Sequence, residues 1–425
     1  MTSFIRNTTL ALAAAGGFAS SAFAGSAAEP ALEPASTTPA ALTGYERLWS
    51  HFVLYKSDTN PVLQEFALQG RIQLQYAWGS ADQGEYYSGD LRNDQLWDDI
   101  DVRRWRLGFK SKWFRVWKFD GQIDIFPDWD PFYRQIYDLN LTYAPSEAFN
   151  LGIGKYKANN FGIEQFTSSK EILTMERSLL ANQLFAGELT GTRFNGKKGN
   201  WQYAAGLYSG DIRREFSSFE TGLVSQLSLG YDFHEMLGLE KALVKLDWQH
   251  SDDRANGTRH GDGLLTANGT ARLGNAAFRP YIDAFSLNGH FEQGRFGLYT
   301  DLVAAEGRGT TGDVWGIMLM PSYYITDGLQ FVARYQYAHG DNDGLQLQSR
   351  YERLAPVRTA ANPGGLGDSG RGEDYHALYL GLNYYLYGHK LKLMAGAEYH
   401  QMDNGNDNGG EFDGWTGSAG VRMSF

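Results

Sequence analysis

The sequence predicts an all-β protein: a transmembrane antiparallel β-barrel of about sixteen strands, with a helical loop folded into its lumen. Three observations carry that expectation. Short segments alternate apolar and polar residues at period two. Their connections alternate between long and short. Aromatic residues gather at segment ends.

The N-terminus is set aside first. Arg6 precedes an Ala-rich apolar run from Thr9 to Ala19, and "SAFAG" follows with Ala22 and Ala24 in an A-x-A arrangement. Residues 1–24 are expected to be a secretory signal peptide, because the run is shorter than the roughly 20 residues of a membrane span. Residues 25–63 are expected to be a periplasmic linker. Its first part is rich in Ala, Pro, Ser and Thr, and a short amphipathic helix is expected within 43–66, ending near Asn60-Pro61. Residues 64–425 form the barrel domain.

The last strand shows the alternation best. In "WTGSAGVRMSF", Trp415, Gly417, Ala419, Val421, Met423 and Phe425 share the lipid face, and Thr416, Ser418, Gly420, Arg422 and Ser424 the lumen face. Leu391, Leu393, Ala395, Ala397 and Tyr399 oppose Lys390, Lys392, Glu398 and His400. Leu329, Phe331, Ala333, Tyr335 and Tyr337 oppose Gln330, Arg334 and Gln336. Sixteen such segments begin near 65, 100, 115, 134, 148, 186, 200, 220, 241, 280, 295, 312, 329, 373, 390 and 412. Long connections cover 79–99, 158–185, 209–219, 251–279 and 340–372. Short ones sit near 114, 145–147, 197–199, 292–294, 326–328 and 388–389. That rhythm fits long extracellular loops and short periplasmic turns, and an even strand count leaves both barrel ends on the periplasmic side. The 11 Trp, 25 Tyr and 25 Phe agree, with Tyr76, Trp78, Trp113, Trp117, Trp201, Tyr323, Tyr324, Tyr384 and Trp415 at strand ends, where interfacial girdles form.

The chain carries 38 Lys+Arg against 49 Asp+Glu, yet "DIDVRRWRLGFKSKW" (99–113) concentrates five basic residues. With Trp105, Leu107, Phe109 and Trp113 facing lipid, Arg104, Arg106, Lys110 and Lys112 point into the lumen, about 7 Å apart along the strand. Arg71 joins them from the preceding strand, between Gln69, Gln73 and Gln75. These cations either attract anions or pair with lumen acids on the next strand, Asp120 and Asp124, joined by Asp138. Further acids are expected in the lumen at Asp301 and Glu398.

The connection 158–185 is long and apolar. Ser168 and Glu171 fit a capping box. Lys170, Thr174, Arg177 and Ala181 then share one helical face, with Ile172, Met175 and Leu179 on another. Folded inward, this helix would set Lys170 and Arg177 in the pore about 10 Å apart. The alternative is an extracellular lid.

"VRRWRLGFK" and "FGIEQFTSSKEILTMERSLL" resemble the phosphate-selective porins O and P, and the likeness spans most of 64–425. The resemblance implies a sixteen-stranded homotrimer whose third loop folds inward, with an arginine ladder leading phosphate to a constriction. On it, Arg103 and Arg104 match ladder positions, Arg177 a constriction arginine, Lys170 a constriction lysine, Arg71 a first-strand partner and Asp138 the acid lining the ladder. The expected function is passive diffusion of small anions, phosphate or related oxyanions, through the outer membrane. The alternatives are a general, weakly selective porin and an outer-membrane hydrolase. The chain shows no G-x-S-x-G or H-E-x-x-H, and its nine His are scattered. No enzyme activity, cofactor, metal or nucleic-acid partner is expected; the expected surroundings are outer-membrane lipid and lipopolysaccharide. Cysteine is absent, so Cys-based zinc sites are excluded. The acidic runs at 341–344 and 403–410 lack EF-hand spacing and read as turns.

Overall fold

The computed structural model describes residues 43–82, 94–126, 131–210, 214–217, 219, 222–252, 280–309, 311–346, 371–403 and 412–425. The expected signal peptide and residues 25–42 of the expected linker lie outside the described residues. The part before Phe52 is a unit of its own. Its described portion is a helix, α1 (Gly44–Ser50), started by a capping box in which Thr43 and Glu46 bond each other's backbone N–H.

The strands of the second unit are β1 Val53–Lys56, β2 Leu63–Asp82, β3 Asp94–Trp113, β4 Trp117–Ile125, β5 Tyr133–Ser146, β6 Phe149–Lys157, β7 Glu188–Lys198, β8 Trp201–Ser209, β9 Leu223–Asp232, β10 Lys241–Asp252, β11 Tyr281–Gln293, β12 Phe296–Gly307, β13 Val314–Thr326, β14 Leu329–Gly340, β15 Leu345–Gln346, β16 Arg371–Gly372, β17 Asp374–Tyr387, β18 Leu391–Asp403 and β19 Phe412–Ser424. Each long strand pairs antiparallel with its sequence neighbour, β14 pairs with β17, and β19 returns to β2. The result is a closed sixteen-stranded barrel, in which every spanning strand finds partners without exposing an edge to lipid. Fifteen of the sixteen begin within three residues of the expected position; β3 begins at Asp94, six residues early. The short pair β15–β16 lies in the connection after β14.

The expected helix within 43–66 ends at Ser50. After a turn at 51–52, residues 53–56 form β1 instead, because β2 outruns its partner β19. The last β19 pairing is Ser424 with Arg71, so the edge of β2 below that point would be bare. Phe425 exchanges backbone hydrogen bonds with Gly70, and β1 then pairs with residues 65–67. The Phe52 ring stacks on Phe425 with centroids 3.9 Å apart.

Outer and inner faces follow the alternation. On β19, Trp415, Ala419 and Val421 are exposed while Thr416, Arg422 and Ser424 are buried. On β17, Leu378, Leu380, Leu382 and Tyr384 point outward. At the short-turn end the outer face carries a continuous aromatic row: Trp117 to Tyr143 (5.0 Å), Tyr143 to Phe149 (6.3 Å), Phe149 to Phe194 (5.2 Å) and Phe194 to Tyr203 (5.8 Å). This is the girdle expected at a membrane interface. Of the acidic runs, 341–344 is a tight turn with Asn342 and Asp343 at positive φ, a conformation these residues tolerate; most of the other lies outside the described residues. No helix among the described residues is long and apolar enough to cross a membrane.

Candidate functional site: a constriction between an inward loop and a basic wall

The connection between β6 and β7, residues 158–187, lies inside the barrel rather than over it. It is not the helix expected from Ser168 onward. Two short helices form instead, α2 (Ile163–Phe166) and α3 (Leu179–Gln183), and residues 167–178 between them are irregular. Ser168 supports only one turn, with its carbonyl accepting from the N–H groups of Glu171 and Ile172. The expected face of Lys170, Thr174, Arg177 and Ala181 is therefore not formed.

The reason is competition for carbonyls. A helix needs each C=O for the N–H four residues on. Here wall side chains take them. Gln73 donates to Ser169 O (3.1 Å), Lys392 to Ile172 O (2.8 Å), Asn383 to Leu173 O (2.9 Å) and Arg334 to Glu176 O (2.9 Å), and Arg422 donates to Met175 O. Bonds from charged donors are worth about 1.5–3 kcal/mol, more than an ordinary backbone bond. The exchange is mutual: Arg334, Lys392 and Arg422 are all buried, and without the loop Lys392 and Arg422 would lose these acceptors and Arg334 would keep only Glu398.

Arg334 is the hub. It donates to Glu164 Oε1 (3.1 Å) and to both oxygens of Glu398 (2.8 and 3.0 Å). Gln336 bonds Glu398 and also accepts from the N–H of Leu179 at 2.8 Å. Elsewhere Asp247 accepts from Gly162 N–H (2.9 Å) and Asp301 from Ile163 N–H (3.0 Å). Gly162 is at φ +66, and a Cβ there would sit 2.9 Å from Asp301 Oδ2, so this approach requires glycine. Asp301, expected as a lumen acid, thus holds the loop directly, and Glu398 does so only through Arg334 and Gln336; neither lines the open space.

The loop leans on β9–β19. The open space lies on its other side, against β2–β7, as a cavity of about 1100 Å³. Nine basic residues line it: Arg71, Arg103, Arg104, Arg106, Lys118, Arg134, Lys157, Arg177 and Arg193. Five acidic residues do: Asp120, Asp124, Asp138, Glu176 and Glu188. Of the residues singled out from the sequence, Arg71, Arg103, Arg104, Arg106, Asp138 and Arg177 come together here. Lys110, Lys112 and Lys170 are not among the residues lining it. Lys110 is half exposed and lies 3.4 Å from Glu65. Lys170 is close enough that, after burial itself, Arg71 and Lys110 pull its ammonium below the usual lysine value.

Two bulges concentrate groups on the wall. In β2–β3, Gln73 pairs with Arg104 and Leu74 with Val102, leaving Arg103 as an extra residue. In β4–β5, Gln122 pairs with Asp138 and Ile123 with Ile136, leaving Tyr137 as another. A bulge breaks the alternation, so Arg103 and Arg104 both line the cavity, as do Tyr137 and Asp138. Arg103 meets Glu176 of the loop through two bonds (2.6 and 3.0 Å). Burial would raise the Glu176 carboxyl, but Arg103, and then Arg104, hold it down at about 2. Arg104 bonds Gln73 at 2.8 Å. Arg106 lies opposite Arg71 in register, pairs with Asp124 at 2.6 Å and sits 3.2 Å from the Tyr137 ring centre. Arg71 donates to Ser169 of the loop. Arg177 is held by its own loop, donating to the carbonyls of Glu164 (2.7 Å) and Thr167 (2.9 Å).

Sequence reasoning did not single out Tyr137, Lys157, Glu176, Glu188, Arg134 or Arg193. Arg193 was readable: Thr192 and Phe194 face outward, which turns Arg193 and Asn195 inward. Glu176 had no such signal, because only the irregular loop path brings it to Arg103.

Comparison with known proteins completes the assignment. The sequence profile described as phosphate-selective porin O and P matches residues 67–415. The chain belongs to that family. This porin is an outer-membrane channel protein. Its fold is similar to OmpT of Vibrio cholerae with loop L8 deleted (TM-score 0.54, 13% identity, 85% of this chain and 99% of that one). It is also similar to Salmonella typhi OmpF in complex with daunomycin (0.52, 12%, 88% and 100%) and to Pseudomonas putida OprB (0.51, 10%, 84% and 94%). At these identities the likeness concerns the fold alone. No curated protein matched the chain in sequence.

Removing the hub should release the loop of this porin. Arg334→Ala leaves the buried Glu164 and Glu398 without their cation, a loss of about 3–5 kcal/mol for a broken buried pair. Trypsin should then cut the detergent-solubilised variant after Lys170 or Arg177 under conditions where the wild type resists. Equal resistance of both proteins would show that Arg334 does not hold the loop.

Proposed function

We propose that this porin passes small anions, phosphate or related oxyanions, and that Arg71, Arg103, Arg104, Arg106 and Arg177 form the path, with Lys110, Lys112 and Lys170 beside it and Asp138 tempering it. The observation that carries this reading is the excess of nine cations over five acids around the cavity of a chain that is acidic overall. Guanidinium stays charged and offers paired donors to oxyanions. At an effective dielectric near 20, a unit charge about 5 Å from an anion contributes on the order of 3 kcal/mol, before dehydration is subtracted. Several such groups in sequence replace hydration stepwise yet let the ion leave. The ion pairs Arg103–Glu176 and Arg106–Asp124 fit a second use of the cations, holding the loop and the wall together, and a general porin is the reading that remains if selectivity is absent. The homotrimer and the lipopolysaccharide surroundings expected from the family resemblance belong to the same proposal.

The test is the zero-current potential in a KCl gradient across planar bilayers. The wild type should favour chloride, added phosphate should block its current, and Arg104→Glu should shift the potential towards cations. Unchanged potentials would leave a general pore. The acid in the constriction adds a pH test. Glu176 is held at about 2, below its ordinary value, so its negative charge is present above the usual carboxylate range and lost only as pH falls through that value. Glu176→Gln should therefore be more anion-selective than the wild type at pH 7 and still at pH 4, the difference closing towards pH 2. A difference already gone at pH 4 would contradict the Arg103–Glu176 pairing.

A further inference from the structure

The inward loop treats one of its apolar side chains differently from the others. Every Leu, Ile and Met of residues 158–187 is at most 7% exposed, packed against the wall. Phe166, at the end of α2, is 42% exposed. It lines the main cavity and also a smaller adjoining one of about 370 Å³. Since the loop lies inside the barrel, lipid cannot cover this ring; it faces the pore. Phe185 of the same loop also lines the main cavity. Both rings carry a cation, Lys245 Nζ at 4.2 Å from Phe166 and Lys157 Nζ at 5.3 Å from Phe185. On the wall side, Arg71, Arg103, Arg104 and Arg106 line the same cavity.

A small tetrahedral oxyanion uses only the guanidinium side of this arrangement. It gains nothing from an exposed phenyl ring and occupies little of a cavity of about 1100 Å³, just above the roughly 300–1,000 Å³ of pockets for drug-sized ligands. A solute with an anionic head and a flat apolar body uses both sides. Its head would meet the guanidinium groups that line the cavity, and its ring would stack on Phe166 beneath the positive field. Resting on the anion reading above, we propose that the constriction prefers aromatic oxyanions, aryl phosphates or aromatic carboxylates, over inorganic phosphate, and that Phe166 sets this preference.

The experiment compares block of the single-channel chloride current by phenyl phosphate, methyl phosphate and inorganic phosphate, at about pH 8, where all three are mainly dianions. Phenyl phosphate should half-block at a concentration about fivefold to tenfold lower than either of the others. In Phe166→Ser that advantage should vanish while the zero-current potential in a KCl gradient stays as in the wild type; Phe166→Leu should retain part of it. Equal block by all three ions, in a channel that still favours chloride, would overturn the aromatic preference alone. An advantage that survives Phe166→Ser would overturn the role of this ring. A wild-type potential on the cation side would overturn the anion reading beneath both.

Discussion

The structure depends on an exchange between buried cations of the barrel wall and backbone carbonyls of the inward loop. Arg334, Lys392 and Arg422 sit on lumen-facing positions of β14, β18 and β19 and are almost fully buried. Isolated charges in such positions would be very costly. The carbonyls of Ile172, Met175 and Glu176, with the carboxylates of Glu164 and Glu398, accept hydrogen bonds from them. The same bonds deny residues 167–178 a helix. One interaction thus sets the loop's path, its irregular backbone and the side of the barrel left open.

The charge balance of the pore follows from that placement. Acids on β10 and β12 are spent on the loop and the β18 acid on Arg334, and the open side is the one where β3 carries its arginines. The β3 bulge then adds Arg103 to the cation row, and the β5 bulge adds Tyr137 beneath Arg106. Close approach needs small residues as well: at Gly316 a Cβ would sit 2.8 Å from Leu180 of the loop. An acidic protein can in this way present a basic constriction without any change in overall composition.

Much of this was legible in the sequence. Period-two alternation located the strands because one face meets lipid and the other the lumen, and Trp105, Leu107 and Phe109 fixed which way Arg104 and Arg106 point. Alternation could not reveal Arg103 as a lumen residue on its own, since a bulge leaves no mark in the pattern; only the family resemblance pointed to it. The helix expected from Ser168 failed for a related reason. Its local spacing was sound, but four of the five competing donors come from strands more than 150 residues away, as with Arg334 and Glu176. Asp301 and Glu398 were correctly placed inside the barrel, yet their use could not be known before the loop's path.

The central claim is that the loop divides the lumen into a packed side and an open side. Thiol accessibility tests it most directly. Thr142 lines the cavity on β5, whereas Ser286 on β11 is fully buried behind the loop, bonded to Asp301 at 2.6 Å. A bulky water-soluble thiol reagent should reduce the single-channel current through Thr142→Cys and leave Ser286→Cys unmodified. Rapid modification and block of Ser286→Cys, with Thr142→Cys inert, would place the pore on the opposite side of the loop and contradict the account.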